Sequence, residues 1–72
     1  MLASIATAIT LNGDPYPLDG DTALTALLER LNMRRTRVAV ELNHQIVPKA
    51  SYDETIVRAG DSVEIINFVG GG

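Results

Sequence analysis

The chain has 72 residues, enough for one small domain and too few for two. Its composition, 46% hydrophobic and 21% charged, is typical of a globular protein and too apolar for a disordered one. The absence of cysteine and the single histidine exclude a disulfide framework, a thiolate nucleophile and the familiar His/Cys metal sites. The net charge of −3 argues against nucleic acid as a partner, and no apolar run approaches a membrane span. We therefore expect a cytoplasmic protein without a nucleic-acid or membrane partner.

The first part of the chain predicts a β-hairpin followed by a helix. Apolar residues alternate from 5 to 11, a strand pattern that stops at Asn12-Gly13, a dipeptide favoured in tight hairpin turns. An edge strand is expected from Pro15 to Leu18, because its prolines cannot donate to a ladder. Residues 22–31 predict a helix with Asp21 as its N-cap. One stripe of this helix is leucine-rich, and we assign it to the core rather than to a partner: Leu24, Leu27, Leu28 and Leu31.

The middle of the chain predicts two more strands and a connection. Alternation from Arg37 to Leu42 indicates a third strand, after a polar and basic segment that suits a helix end. Asn43-His44 predicts a turn, with His44 as a solvated loop residue. Residues 45–48 predict a short fourth strand, which ends at Pro48. The connection over residues 49–57 contains three expected core anchors, Tyr52, Ile56 and Val57.

The last strand, Ser62 to Phe68, follows a turn at residues 59–61 and divides its side chains between two faces. Residues 63, 65 and 67 share the face expected to meet the core, whereas Glu64, Ile66 and Phe68 share the other. Two interpretations of Ile66 and Phe68 stay open. They form an exposed apolar patch that docks a partner, or the strand end is buried on both sides.

The order strand, strand, helix, strand, short strand, strand is typical of an α+β domain, with one main helix packed across a mixed sheet of four to five strands. If the first and last strands lie side by side in the middle, they must be parallel. That is the β-grasp arrangement, one option among small α+β folds. We expect residues 1–68 to form this domain and residues 69–72 to form a flexible glycine tail.

Three stretches carry a resemblance to a known family: VELNHQIVP at 40–48, AGDSVEII at 59–66 and FVGGG at 68–72. Together with Asn12-Gly13, the leucine-rich helix and the chain length, they resemble the ThiS family of thiamine-biosynthesis sulfur carriers, which are ubiquitin-like β-grasp proteins. The resemblance runs over nearly the whole chain. Its departures are a short leader, residues 1–4, and Gly70, where another small residue is common. It implies that Gly71 and Gly72 are the family's functional diglycine.

The resemblance implies sulfur delivery rather than catalysis. A ThiF-like adenylyltransferase would use ATP to place AMP on the carboxylate of Gly72. Sulfur from a cysteine-desulfurase route would then displace AMP and leave a thiocarboxylate. A ThiG-like thiazole synthase would receive that sulfur. The carrier itself is expected to hold no bound cofactor or metal.

The physical chemistry of a glycine tail suits this role. An α-carboxylate is ionised at neutral pH and can attack the α-phosphorus of ATP. Gly70 and Gly71 have no Cβ to obstruct a closed active site, and four residues beyond Phe68 extend about 13–14 Å. Docking must offset the entropy of ordering these glycines, and the candidate contacts are Ile66, Phe68 and Glu64. Acidic side chains of Glu41, Asp61 and Glu64 are candidates for steering a basic partner.

Other functions stay open beside the thiazole pathway. The nearest is a carrier for molybdopterin or another sulfur pathway, with the same chemistry and a different recipient. A different class is a non-catalytic β-grasp binding module whose tail is inert. A protein-conjugating ubiquitin-like role would produce lysine-linked adducts.

Overall fold

The structure, a computed structural model, describes residues 8–68. The leader 1–4, the predicted strand residues 5–7 and the tail 69–72 lie outside this range. Residues 8–68 contain seven strands and one α-helix, in chain order β1 (Ala8–Leu11), β2 (Asp14–Pro17), β3 (Thr22–Ala23), α1 (Leu24–Arg30), β4 (Val38–Leu42), β5 (Gln45–Ile46), β6 (Ile56–Val57) and β7 (Ser62–Asn67). Two 3-10 helices, Arg35–Arg37 and Lys49–Glu54, flank β4 and β5. No helix in this described part of the chain has the length and apolarity to cross a membrane.

Five strands form the main sheet in the order β2-β1-β7-β4-β5. β1 and β7 are parallel neighbours at its centre, with Thr10 opposite Ser62, and the other neighbouring strands are antiparallel. β2, with its two prolines, lies at one edge. The predicted α+β class, mixed sheet and central parallel pair are therefore confirmed.

Both hairpins of this sheet turn through residues with left-handed backbone angles. Asn12 and Gly13 have φ of 49° and 87°, and Asn43 and His44 have φ of 52° and 71°. Two consecutive positive φ angles are the signature of a two-residue type I′ turn, whose twist matches that of the flanking strands. Both predicted turns are confirmed.

The predicted start of the helix is wrong by two residues. α1 begins at Leu24, after an N-terminal flanking residue, Ala23, that makes no side-chain cap bond. The preceding residues are extended instead, because β3 pairs with β6 in a second, two-stranded sheet. The Leu24 N–H donates to Thr55 O at 2.9 Å, so a strand connection satisfies this amide. Asp21, the predicted N-cap, forms an exposed ion pair with Arg58 at 3.3 Å.

The core lies between α1 and one face of the main sheet, here called the inner face. The leucine stripe is confirmed as core, with Leu31 only partly buried. Tyr52 and Val57 are buried anchors as predicted, but Ile56 is 36% exposed, because the two residues of β6 point to opposite sides. The buried set comprises Ile9, Leu18, Leu24, Leu27, Leu28, Val38, Val40, Tyr52, Val57, Val63 and Ile65.

Candidate functional site

β7 is the strand that leads directly into the glycine tail, and it lies between two neighbours. β1 runs parallel on one side, and β4 pairs antiparallel over Val63 to Asn67 on the other. The ladder continues one residue further, where the Phe68 N–H donates to Arg37 O at 2.7 Å. The tail therefore starts at the end of a firmly paired central strand. Gly70, Gly71 and Gly72 themselves lie outside the described residues, so the carboxylate site stays a prediction.

Asn12 extends the ladder between β1 and β7 with its side chain. Its main-chain N–H donates to Val63 O at 2.8 Å. Beyond that bond the main chain turns into the hairpin, and the side-chain carboxamide makes the next two hydrogen bonds to β7. The Ile65 N–H donates to Asn12 Oδ1 at 2.8 Å, and Asn12 Nδ2 donates to Ile65 O at 3.2 Å. A carboxamide offers the same donor and acceptor as a peptide group, so Asn12 replaces a missing strand residue beside β7.

Asn43 makes a similar connection on the β4 side, at the start of β7. Its main-chain N–H donates to Ser62 O at 2.7 Å, and the Ser62 N–H donates to Asn43 Oδ1 at 2.9 Å. Its Nδ2 donates to Asp61 Oδ1 at 3.1 Å, while Asp61 Oδ2 accepts the Arg58 N–H at 2.7 Å. The Asp61 carboxylate, a candidate for steering, is thus bonded within the turn before β7.

The face of the sheet opposite α1, here called the outer face, brings together the predicted docking residues. Ile66 and Phe68 are 59% and 53% exposed, and Glu64 is also exposed on the same side of β7. The interpretation that the strand end is buried on both sides is therefore wrong. The reason is that α1 covers only the inner face, and no described element covers the outer one.

Ile46 belongs to the same surface, although alternation along its own short strand does not indicate this. The β4–β5 register sets Ile46 opposite Glu41, and Glu41 in turn lies opposite Glu64. Ile46 is 76% exposed and therefore adds apolar area to the outer face, in line with the two glutamates. Alternation in the sequence could identify the faces of one strand. Which residues of different strands meet depends on the register, which only the structure provides.

Glu41 and Glu64, directly opposite each other in the register of β4 and β7, are an unfavourable pair. Like charges facing each other across two strands destabilise a sheet. Neither carboxylate forms an ion pair within residues 8–68, where the recorded pairs are Arg35–Asp53 and Arg58–Asp21. Such a local conflict beside exposed apolar side chains is characteristic of a functional surface rather than of one selected for stability.

Within the basic segment at residues 34–37, Arg35 makes contacts that hold the fold together. Arg35 pairs with Asp53 at 2.9 Å and lies 5.8 Å from the centre of the Tyr52 ring. Lys49 Nζ, 5.6 Å from the same centre, donates to Arg35 O and to Val38 O. Burial raises the pKa of the Tyr52 phenol. These contacts join the two 3-10 helices to the start of β4.

The helix side of the domain carries a shallow depression of about 450 Å³. Its charged lining residues, of both signs, are Glu29, Arg34, Arg35 and Asp53, and two of these already neutralise each other. His44 is exposed in its turn, and residues 8–68 hold no group of three metal-ligating side chains. The outer face and the strand leading to the tail are therefore the candidate site.

Comparisons with known proteins give a consistent result. The model of the ThiS family matches residues 9–72. The sulfur carrier protein ThiS of Thermus thermophilus is 36% identical over 64 residues, which cover 89% of this chain and 98% of that protein. The crystal structure of a thiamine biosynthesis protein (ThiS) from Geobacter metallireducens matches with a TM-score of 0.77 and 38% identity, over 90% of this chain and 99% of that one. This likeness confirms the ubiquitin-like β-grasp fold.

Another group of similar proteins is much longer. The thiazole synthase of Paramagnetospirillum magneticum is 41% identical over 64 residues, which cover 89% of this chain but 20% of that protein. A second thiazole synthase, from Magnetococcus marinus, is 36% identical over the same share. The chain therefore spans about a fifth of the length of these relatives.

Proposed function

The chain belongs to the ThiS family, and we propose on that basis that it is a sulfur carrier of thiamine biosynthesis, with sulfur borne by Gly72. The observation that supports this most is the match over nearly the whole length of proteins named as ThiS sulfur carriers. The chain acts as a protein co-substrate in this proposal, and partner enzymes perform the catalysis.

The proposed chemistry proceeds in two substitutions and a final reduction. A carboxylate oxygen of Gly72 attacks the α-phosphorus of ATP, pyrophosphate leaves, and an acyl adenylate forms in a ThiF-like adenylyltransferase. The terminal sulfur of a persulfide from a cysteine-desulfurase route then attacks the carbonyl carbon and AMP leaves. A thiol reductant cleaves the acyl disulfide formed in this way and releases the thiocarboxylate. Activation makes the departing group a good one, so one difficult substitution becomes two easier ones. We place this ATP-dependent reaction in the cytoplasm.

The described residues support this proposal by the way they hold the root of the tail. β7 is paired on both sides, and the ladder persists to the Phe68 N–H. A narrow tail of Gly70, Gly71 and Gly72 can then enter an active site while the folded body stays outside. The body has to supply the docking contacts, and we assign them to Ile66, Phe68 and Glu64 on the outer face.

The recipient of the sulfur is, in this proposal, a ThiG-like thiazole synthase. Proteins named thiazole synthase contain a segment similar to this chain over about a fifth of their length. A carrier-like segment within such proteins supports a direct partnership between carrier and synthase. The adenylyltransferase and the sulfur donor rest on the family alone.

Intact-mass measurement tests the proposal directly. The chain is incubated with a ThiF-like adenylyltransferase, ATP, a cysteine desulfurase, cysteine and a thiol reductant. Replacement of one oxygen by sulfur should add about 16 Da to the full chain and nothing to a chain without Gly72, because the activated carboxylate is that of Gly72. No added mass on the full chain, or the same addition on the shortened chain, would refute the proposal.

A second measurement identifies the recipient. The thiocarboxylate form is offered separately to a thiazole synthase and to the large subunit of a molybdopterin synthase. We expect loss of the sulfur mass only with the thiazole synthase. Loss only with the molybdopterin enzyme would assign the chain to that pathway, and lysine-linked adducts would indicate protein conjugation instead.

A further inference from the structure

We infer that the outer face orients the carrier on its adenylating enzyme through acidic, apolar and basic side chains that follow one another along the strands. This inference rests on the proposed function and adds the kind of partner surface that the carrier fits. The complementary surface of the enzyme has carboxylates at the entrance of the crevice that holds ATP. Apolar side chains lie next to them, and lysine or arginine side chains lie furthest from the entrance.

The order follows from the register of β4 against β7. Glu41 lies opposite Glu64, and Ala39 lies opposite Ile66. One further step brings Arg37 opposite Phe68, where the Phe68 N–H donates to Arg37 O. Arg37 ends the 3-10 helix before β4, and Phe68 directly follows β7. Glu64 and Phe68 are four residues apart, about 13 Å at about 3.3 Å per residue, so the acidic row (Glu41 and Glu64) lies about 13 Å from the basic row (Arg37 beside Phe68). The basic row is the one at the root of the tail.

The acidic row favours a cationic group on the partner. In the free carrier Glu41 and Glu64, two like charges, lie opposite each other across β4 and β7, without an ion pair in the part of the chain that the structure describes. A lysine or arginine placed between them by docking would remove this repulsion. The acidic row thus gains more from a basic partner than an isolated carboxylate would.

The basic row favours carboxylates at the opposite end. Arg35 is already paired with Asp53, whereas Arg37 is exposed and has no ion pair within residues 8–68. Because Arg37 lies next to Phe68, an anionic rim around the crevice entrance would bring this charge to the point where the tail enters.

The order of the charges sets the orientation of the carrier on its partner, which apolar contact alone cannot do. Burial of Ile66 and Phe68 is non-directional, so it stabilises the complex equally whether the strands of the carrier run one way or the opposite way across the partner surface. In the reversed direction Arg37 would face the partner's cations, and the two glutamates would face its carboxylates. Only one direction directs the tail into the crevice. An adenylating enzyme needs that direction, because the tail has to reach a nucleotide phosphorus.

The test uses charge reversal, with the carrier as the varied substrate of a ThiF-like adenylyltransferase and pyrophosphate release as the readout. The decisive variant is the double substitution R37E/E64R, which places a carboxylate at the root of the tail, neutralises the acidic row and keeps the net charge of −3. We expect R37E and E64R each to raise KM about 3- to 10-fold and the double variant to raise it further, with kcat at saturation unchanged. R30E and E29R, on exposed positions of α1, are matched reversals and should stay within about twofold of wild type.

Alternative outcomes are distinguishable. If only the net charge steers association, R37E and E64R shift KM in opposite directions and R37E/E64R behaves as wild type, which would overturn the inference. If R37E and E64R instead disrupt a dimer of the carrier, measured by analytical ultracentrifugation, the face binds a second copy and the inference is also wrong. If the wild-type carrier releases no pyrophosphate at all, the proposed function fails rather than the charge order. R37Q and E64Q give the same comparison with smaller changes should a reversal impair folding.

Discussion

The side chain of Asn12 offers the sharpest test of how this fold holds the strand that leads to the tail. The substitution Asn12→Gly removes both carboxamide bonds to Ile65 and keeps a residue that adopts the observed φ of 49° without strain. Asn12→Ala removes the same bonds and adds the cost of a left-handed backbone for a residue with a Cβ. The difference between the two variants therefore separates the hydrogen bonds from the backbone conformation.

The expected magnitude follows from these two bonds. Each contributes about 0.5–1.5 kcal/mol net, and a partly buried N–H or C=O left without a partner costs about 1–3 kcal/mol. Water can replace part of the loss, because the contact is only part-buried. We expect Asn12→Gly to lower the free energy of unfolding by about 2 kcal/mol and Asn12→Ala by about 3 kcal/mol. For a chain of 72 residues, whose whole stability is on the order of 4–11 kcal/mol, this is a large fraction.

Urea unfolding and amide exchange measure the effect. Asn32→Gly is the matched control, because Asn32 has a similar φ of 59° and makes no side-chain hydrogen bond within residues 8–68. We expect it to change stability by less than about 0.5 kcal/mol. In Asn12→Gly the Ile65 amide should exchange about tenfold faster relative to the Thr10 amide, which donates to Asp61 O at 2.9 Å. Equal losses in Asn12→Gly and Asn32→Gly, with unchanged exchange at Ile65, would refute the reasoning.

Three further predictions concern the core, a buried phenol and a turn. Leu27→Ala should cost about 2–5 kcal/mol in urea unfolding, because Leu27 is fully buried. Burial raises the pKa of the Tyr52 phenol above its ordinary 10.0, so the unfolded chain loses this proton first and stability falls as pH rises above that value. Tyr52→Phe should flatten this alkaline loss, measured by urea unfolding at a series of alkaline pH values. Gly60→Ala should lower the midpoint of thermal unfolding, because its φ of 89° is unfavourable for a residue with a Cβ. Gly20→Ala should not, because Gly20 has no positive φ and an added Cβ would have no neighbouring atom within 4 Å.

The parts of the fold that the sequence predicts are those with a local cause. Asn12-Gly13 specifies its turn by two residues that tolerate positive φ, and the leucine stripe specifies its face by spacing alone. The N-cap prediction failed because a non-local contact decided it. β3 is only two residues long, and nothing near Asp21 indicates that these residues pair with β6 about 34 positions later. The prediction of Ile56 as a core anchor is wrong for a related reason, because pairing with β3 makes residues 56–57 a strand whose two side chains point to opposite sides.

The candidate site divides in the same way. Alternation along β7 correctly grouped Glu64, Ile66 and Phe68, since faces of one strand follow from its sequence. The opposition of Glu41 to Glu64 and the addition of Ile46 depend on the register between strands. Register is set by packing of the inner face, because a slip of one residue would move buried side chains to solvent. No local signal could therefore reveal these pairs.

The two faces of β7 serve different requirements on one backbone. The inner face buries Val63 and Ile65, while the outer face opposes two carboxylates and exposes large apolar groups. Glu64→Arg is the substitution at which these requirements separate. It replaces a repulsive cross-strand pair with an attractive one and should stabilise the free carrier by about 0.2–1 kcal/mol, seen as a higher midpoint of thermal unfolding. The same change should raise KM for adenylation, because the arginine would then oppose the partner's cation. A variant that is more stable and yet a poorer substrate would show that the acidic row is kept for binding. Loss of both properties would mean that Glu64 supports the fold.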